Sequence, residues 1–323
     1  MSLQVFQTAR AALEATRGTP ATPTRILYAE VFEHGQTIQT IRPETLTGTY
    51  EGFPTASTGY EENTFHESGR ESFEDMVWRA NLFFAPLGTA SGTAGAAYTY
   101  AFEPSGTADN VKTMSVQMGW NDTIGTAAPG VSLSYLLGET LTYHWEKNDE
   151  GGVTFDATYL SAGTATQGTA FTGVGTARAT TLMSALTTTV SLDATTIGST
   201  VDTSVTAVDW TLQLQPVPFR SLNGSAGATA VYRPKHRTWT AQITRQYANK
   251  TEWSIYQTKA LRKVRILSTA TGGTAQIDLY GVYTNREWSE VDGIVTEVLT
   301  LEPGGTADPS FRASVVTTFG TLI

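Results

Sequence analysis

His144 stands two residues from Glu146, with Asp149 and Glu150 following closely. Such a group could move a proton, because imidazole and carboxylate together titrate across the neutral range. Glu61–Glu62 and His66–Glu67 form a second polar group that could do acid–base work. Asp149-Glu150-Gly151-Gly152 has a loose likeness to a calcium loop but lacks its ligand spacing. Each group also has a plainer reading. His144 fits a strand residue beside a solvated turn, residues 61–67 a solvated loop, and 149–152 a hairpin turn. The plainer readings are preferred because nothing converges on the others. There is no cysteine, and the four histidines, at 34, 66, 144 and 236, are scattered, with no pair at metal-binding spacing. No GxxxxGK[ST], GxGxxG, GxSxG or HExxH sequence occurs. The chain is therefore expected to catalyse nothing and to hold no cofactor or metal.

Composition narrows the classes further. The 323 residues carry 21 Lys and Arg against 30 Asp and Glu, a formal charge of −9. A protein that binds nucleic acid by neutralising phosphates usually has the opposite sign. Charged residues make up 16% and hydrophobic residues 40%, with aromatic side chains enough for a core. No apolar run approaches the ~20 residues that span a bilayer. Residues 1–18 lack the apolar region of a secretory signal, so folding in a cytoplasm and no membrane contact are expected. Basic residues gather in two places. Arg233, Lys235, His236, Arg237 and Arg245 precede one helical segment, and Lys259, Arg262, Lys263 and Arg265 close it. Glu61, Glu62, Glu67, Glu71, Glu74 and Asp75 surround another. Two readings stand side by side: docking of complementary domains, or solvated helix ends.

The elements that position these groups are mostly strands. Period-two alternation recurs in residues 113–118, 141–146, 153–158, 210–215, 239–244, 276–283 and 294–301. One wet face and one dry face imply antiparallel sheet. Two segments have helical spacing. Glu71–Phe84 has Phe73, Val77, Ala80 and Phe84 on one side and Ser72 as an N-cap; Thr251–Val264 has Trp253, Tyr256, Ala260 and Leu261. Strand, helix, strand and hairpin occur twice in this order. The first set is Gln39–Tyr50, 71–84, Val111–Trp120 and a hairpin turning at Asn148–Gly152. The second is Val208–Pro216, Trp239–Gln246, 251–264, Gln276–Tyr283 and a hairpin turning at Val291–Gly293. The order implies an internal duplication, with the Gly/Thr/Ala-rich Ser161–Thr180 as linker or exposed loop.

The sequence resembles the tail tube (major tail) proteins of long-tailed bacteriophages. Glu14, Thr16, Gly18, Thr19 and Pro20 are similar to the phrase that opens that family. Val111–Thr123 and the closing hairpin marked by Gly152, Val153, Thr154, Leu160 and Gly163 are similar to its strand and hairpin. Val208–Leu214, Thr238–Gln246 and Trp288–Leu301 resemble its C-terminal half. The resemblance implies a mainly β fold: two tandem tube-like sandwich or barrel domains, each with one flanking helix, whose hairpins join an intersubunit β-barrel. The expected division is an N-terminal arm (1–24), domain one (25–163), a linker (164–204), domain two (205–302) and a C-terminal arm (303–323).

It further implies a structural virion subunit that stacks in rings around a conduit for DNA. Trimeric rings of two-domain chains are preferred over hexamers. The implied partners are further copies of the chain and the tape-measure, terminator and tip proteins of a tail; DNA passes without specific binding. Lumen-lining acids are expected at Glu146, Asp149, Glu150, Asp156, Glu287, Glu290 and Asp292. Contacts between domains or rings are expected at Glu61, Glu62, Glu67, Arg233, Lys235, Arg237, Arg262 and Lys263. The arms and residues 52–69 are expected to order on stacking. The competing expectation is a β-rich decoration or carbohydrate-binding module of a virion.

Overall fold

A computed structural model describes residues 6–41, 57–84, 91–92, 97–103, 111–121, 129–147, 152–170, 180–220, 227–228, 230–232, 237–247, 249–291, 293–304 and 310–318. The fold is mainly β. The first half holds β1 (Phe6–Leu13), β2 (Arg25–Ile26), β3 (Val31–Ile41), β4 (Ser57–Arg70), α1 (Phe73–Phe83), β5 (Tyr98–Phe102), β6 (Met114–Asn121), β7 (Pro129–Glu146), β8 (Val153–Ser161) and β9 (Thr166–Ala170). The second holds β10 (Thr188–Asp193), β11 (Val205–Gln213), β12 (Val217–Phe219), β13 (Ala230–Tyr232), β14 (Thr238–Gln246), α2 (Thr251–Thr258), β15 (Arg262–Ala270), β16 (Gly273–Val291), β17 (Ile294–Pro303) and β18 (Phe311–Thr317). All strands except the β12–β13 ribbon belong to one 16-stranded antiparallel network.

The pairing order recurs. Neighbouring strands run β3-β4-β8-β7-β6-β1 in the first half and β11-β14-β17-β16-β15-β10 in the second. In each, the helix follows the same strand, β4 or β14. In each, a long strand hands over from one neighbour to the next: β7 from β6 to β8 near Leu136, β16 from β15 to β17 at Gly281. A bulge follows both hand-overs, between Gly138 and Thr140 and between Tyr283 and Asn285. The last strand of each set, β9 or β18, pairs with the opening residues of that long strand. Bulges bend a strand locally, so both long strands turn at corresponding places.

Three stretches expected to be irregular are strands. Phe6–Leu13, in the supposed N-terminal arm, pairs with β6 along its whole length. Its alternation is muted because small residues, Ala9 and Ala11, fill the buried positions. Ser57–Arg70 is a strand because burial alternates strictly at Asn63, Phe65, Glu67 and Gly69; two of the inward side chains are polar, which hides the period. Phe311–Thr317, in the supposed C-terminal arm, is held between β16 and β5. Within the supposed linker, β9 pairs with β7 and β10 with β15. The strand expected at 39–50 is β3, ending at Ile41; residues 42–50 lie outside those described.

The helices also differ from a simple flanking arrangement. Ser72 caps α1: its hydroxyl accepts from the Asp75 amide at 3.0 Å and donates to the Asp75 carboxylate at 2.7 Å. Every residue of α1 is buried. Its ends seat on glycines: a Cβ at Gly138 would stand 2.6 Å from the Phe83 ring, and one at Gly273 2.6 Å from Phe73. Bare backbone on strands of both halves therefore lets the helix sink into the core. α2 stops at Thr258, where Lys259 takes a left-handed conformation (φ 50°). Val264 and Ile266 then alternate with polar residues, so the expected helix end, Arg262–Lys263, begins β15.

Burial forces the acids near α1 to find cations at once. Arg79 donates to both Glu67 oxygens at 3.1 and 3.2 Å and to Glu71 at 2.7 Å. Its guanidinium lies 3.3 Å from the Phe155 ring centroid. Arg25 binds Asp75 at 2.9 Å, and Glu74 accepts from the Thr181 amide at 2.8 Å. Among the described residues, Glu67, Glu71 and Asp75 thus meet cations of the first half, and of the acids named Glu62 meets a second-half cation, Arg220, at 3.5 Å. Burial pushes the Glu71 carboxyl up to about 7, against the opposing pull of Arg79. Burial also opposes the charge on Arg79, but Glu67 and Glu71 hold it on.

Replacing Arg79 by Met strands two buried carboxylates and is expected to cost about 3–5 kcal/mol in urea unfolding. Glu71 titrates higher in the folded chain than the ordinary value of 4.5. Its favourable term is therefore full below about pH 4.5 and disappears as pH rises through about 7. Relative to Glu71→Gln, the native chain should lose stability over that interval, by on the order of 3 kcal/mol. Parallel unfolding curves for the two chains would reveal no change in their difference if Glu71 were an ordinary carboxylate.

Candidate functional site

The strands β3-β4-β8-β7-β11-β14-β17-β16 are consecutive neighbours, so one ladder runs through both halves. The two halves meet where β7 pairs with β11 over seven residue pairs, from Thr140↔Gln213 to Glu146↔Ala207. Directly paired residues share a face. On the dry face, Trp210 pairs with Tyr143, and the two rings stack at 6.1 Å and 7°. Trp210 also packs on Phe84 and Phe311, which ties the join to one shared core.

The other face is polar over most of its extent. It carries Thr64, His66 and Ser68 on β4; Thr154, Asp156 and Thr158 on β8; and Thr142, His144 and Glu146 on β7. It continues with Asp209 and Thr211 on β11, Gln242 and Thr244 on β14, Thr300 on β17, and Asn285 and Glu287 on β16. One end is closed by Leu137, Ala162 and Val231, a small apolar cluster separate from the main core. Among the described ladder residues of this face Arg70 is the sole Lys or Arg, at the rim against Glu30 at 3.8 Å.

Two histidines cross-link the acids. His66 Nε2 lies 3.0 Å from Asp156, and its Nδ1 lies 3.6 Å from Glu33. His144 Nδ1 hydrogen-bonds Asp209 across the join, and its Nε2 lies 3.3 Å from Glu146. Burial lowers the His144 pKa, but Asp209 and then Glu146 outweigh it and raise the value above the ordinary 6.5. Among the described residues no group of three or more His, Asp or Glu could hold a metal ion. No helix among them is long and apolar enough to cross a membrane.

The expected lumen acids separate. Glu146, Asp156 and Glu287 share the polar face. Glu290 is on the opposite face, since it follows Trp288 at period two and the bulge at Tyr283/Asn285 shifts the register by one. Asp149, Glu150 and Asp292 lie outside the described residues. Asp209 and Glu33 join the face without having been singled out. Asp209 sits between Val208 and Trp210 in an alternating run, so its facing was readable from period two alone.

The expected contact residues are mostly engaged within the chain. Glu67 and Arg262 are buried. Glu67 serves Arg79, and Arg262 Nε donates to Glu252 at 3.1 Å. These two are structural, because each anchors a helix. Glu61 accepts from the Ala165 amide at 2.7 Å, Glu62 lies 3.5 Å from Arg220, and Lys263 reaches the Thr195 carbonyl. Arg237 is half-buried, and Arg233 and Lys235 lie outside the described residues.

Asp209→Asn should lower the His144 titration midpoint toward 6.5, as followed by imidazole proton NMR. An unchanged midpoint would mean that the contact across the join does not set it.

No protein-family model matches the chain, and no curated protein matches it significantly.

Proposed function

We propose that this chain is a structural subunit that polymerises through its sheet edges into rings, which stack as a hollow tube of the bacteriophage tail type. The observation that supports this reading is the recurring pairing order together with the way its two copies meet. The join uses β7 of the first copy and β11 of the second. The corresponding strands at the chain's extremes are β16 and β3. Among the described residues, the distal part of β16 pairs on one side only, with β17, and β3 pairs only with β4. A contact that joins unlike surfaces, and leaves the same two surfaces open at the ends, can repeat indefinitely or close into a ring.

On this reading three chains supply six copies of the unit, and the polar face turns toward the bore. Its acids repel a DNA backbone and its hydroxyls and amides offer no phosphate neutralisation, which favours passage over retention. The chain acts as a scaffold, with no chemical step assigned to its histidine–carboxylate contacts. As a tail component it belongs in the virion, where its terminal rings meet tip, terminator and tape-measure proteins.

Purified protein viewed by negative stain, with mass measured by native mass spectrometry, should show rings or tubes with an axial channel. Native mass should appear in multiples of three chains. A monomer at every concentration, without rings, would overturn the proposal.

A further inference from the structure

We infer that the distal half of β16, with the aromatic patch around Trp288, is the socket for the β3 edge of a second copy of this chain. This rests on the ring-forming reading and names the surface that carries it. Counting from the paired bulges, Asn285 corresponds to Thr140, and Trp288 therefore corresponds to Tyr143. Tyr143 is fully buried: Trp210, from the β11 edge docked across the join, stacks on it, and Trp145 packs beside it at 5.6 Å. Trp288 is 51% exposed. Among the described residues, no strand pairs beside Trp288 where β11 pairs beside Tyr143.

The surroundings of Trp288 are already ordered for a partner. Tyr247 packs on it at 4.7 Å, and the Arg286 guanidinium lies 3.8 Å from its ring and 4.7 Å from Trp253. Arg286 is itself fixed by Glu297 at 2.6 Å. Ile294 and Val295, on the adjoining strand, are 48% and 40% exposed. Exposed aromatic and aliphatic side chains on an unpaired strand edge are an association hazard unless a defined partner covers them. Rigid aromatics lose little conformational freedom on being covered.

The occupant follows from the same correspondence. β11 fills the first socket, and its counterpart is β3. Within a chain β3 stands at the far end of the ladder from β16, so the occupant is the β3 of a neighbour. Val31 and Ile38 of β3 are 39% and 50% exposed and lie ready to be covered by that contact.

The absence of cysteine makes a clean test possible. A Thr37→Cys, Asn285→Cys chain, whose two positions correspond to Gln213 and Thr140 paired across the join, assembled and treated with a short bismaleimide, should give a denaturant-resistant ladder at multiples of the chain mass. Each single variant should give no ladder. Trp288→Glu should raise the concentration for half-assembly by about tenfold or more, with the β-sheet circular dichroism of the isolated chain retained. Rings that form without the ladder, and as readily in Trp288→Glu, would overturn this socket and leave the ring-forming reading standing. A native chain that never assembles would overturn both.

Discussion

Backbone hydrogen bonding at strand edges governs this molecule. A strand edge left bare exposes a row of donors and acceptors that will pair with whatever strand presents itself. The β7–β11 join answers that demand once, with seven residue pairs and a Tyr143–Trp210 stack beneath them. Because the two halves share one pairing order, the join makes the second copy's edge the natural neighbour of the first. The same argument leaves β3 and the distal part of β16 as edges of matching kind. An intrachain interface thus defines the geometry that an interchain one would use.

The join can be stiff because the helix beneath it is anchored by charge. α1 is wholly buried, and its acids would destabilise the core unless paired. Arg79 meets Glu67 and Glu71, Arg25 meets Asp75, and the Tyr159 hydroxyl donates to Glu67 at 2.6 Å. The second half repeats the device with other residues. Glu252 on α2 receives Arg262 and the Tyr283 hydroxyl, the latter at 2.8 Å. Glu74 extends the anchoring between halves, accepting from Thr317 of β18 at 3.3 Å. Such pairs add specificity of placement more than net stability, since desolvation offsets most of the Coulomb gain. Placement is what a repeated edge-to-edge contact requires.

Much of the β-rich architecture was legible because alternation was carried by large side chains, as in Trp210-Thr211-Leu212 and Trp239-Thr240-Ala241. The helix start at Ser72 was legible from its cap chemistry. β1 and β4 were not, because alanines, Asn63 and Glu67 occupied inward positions that a hydrophobic count passes over. α2 was overextended because Trp253, Tyr256 and Ala260 continue a helical spacing that Lys259 ends by its backbone conformation. Charge by itself misplaced Glu67 and Arg262: a sequence shows that they are ionisable, and only the pairing partners show that they are inside. The bulge after Tyr283, which exchanges the faces that Glu287 and Glu290 would take in an unbroken strand, has no local sequence mark.

The abundance of threonine follows from the same sheet. A face that is wet yet belongs to long paired strands favours residues that are both β-branched and polar. Thr142 and Thr211 meet across the join at 3.1 Å, holding the ladder without charge. Acids are then spaced among hydroxyls, and His66 and His144 each stand between two of them. Each imidazole bridges carboxylates carried by different strands, and the acids of the face outnumber its Lys and Arg among the described ladder residues. A surface intended to grip a polyanion would place lysine or arginine at those crossings. Here histidine stands at the crossings, and among the described ladder residues of the face Arg70, at the rim, is the sole Lys or Arg.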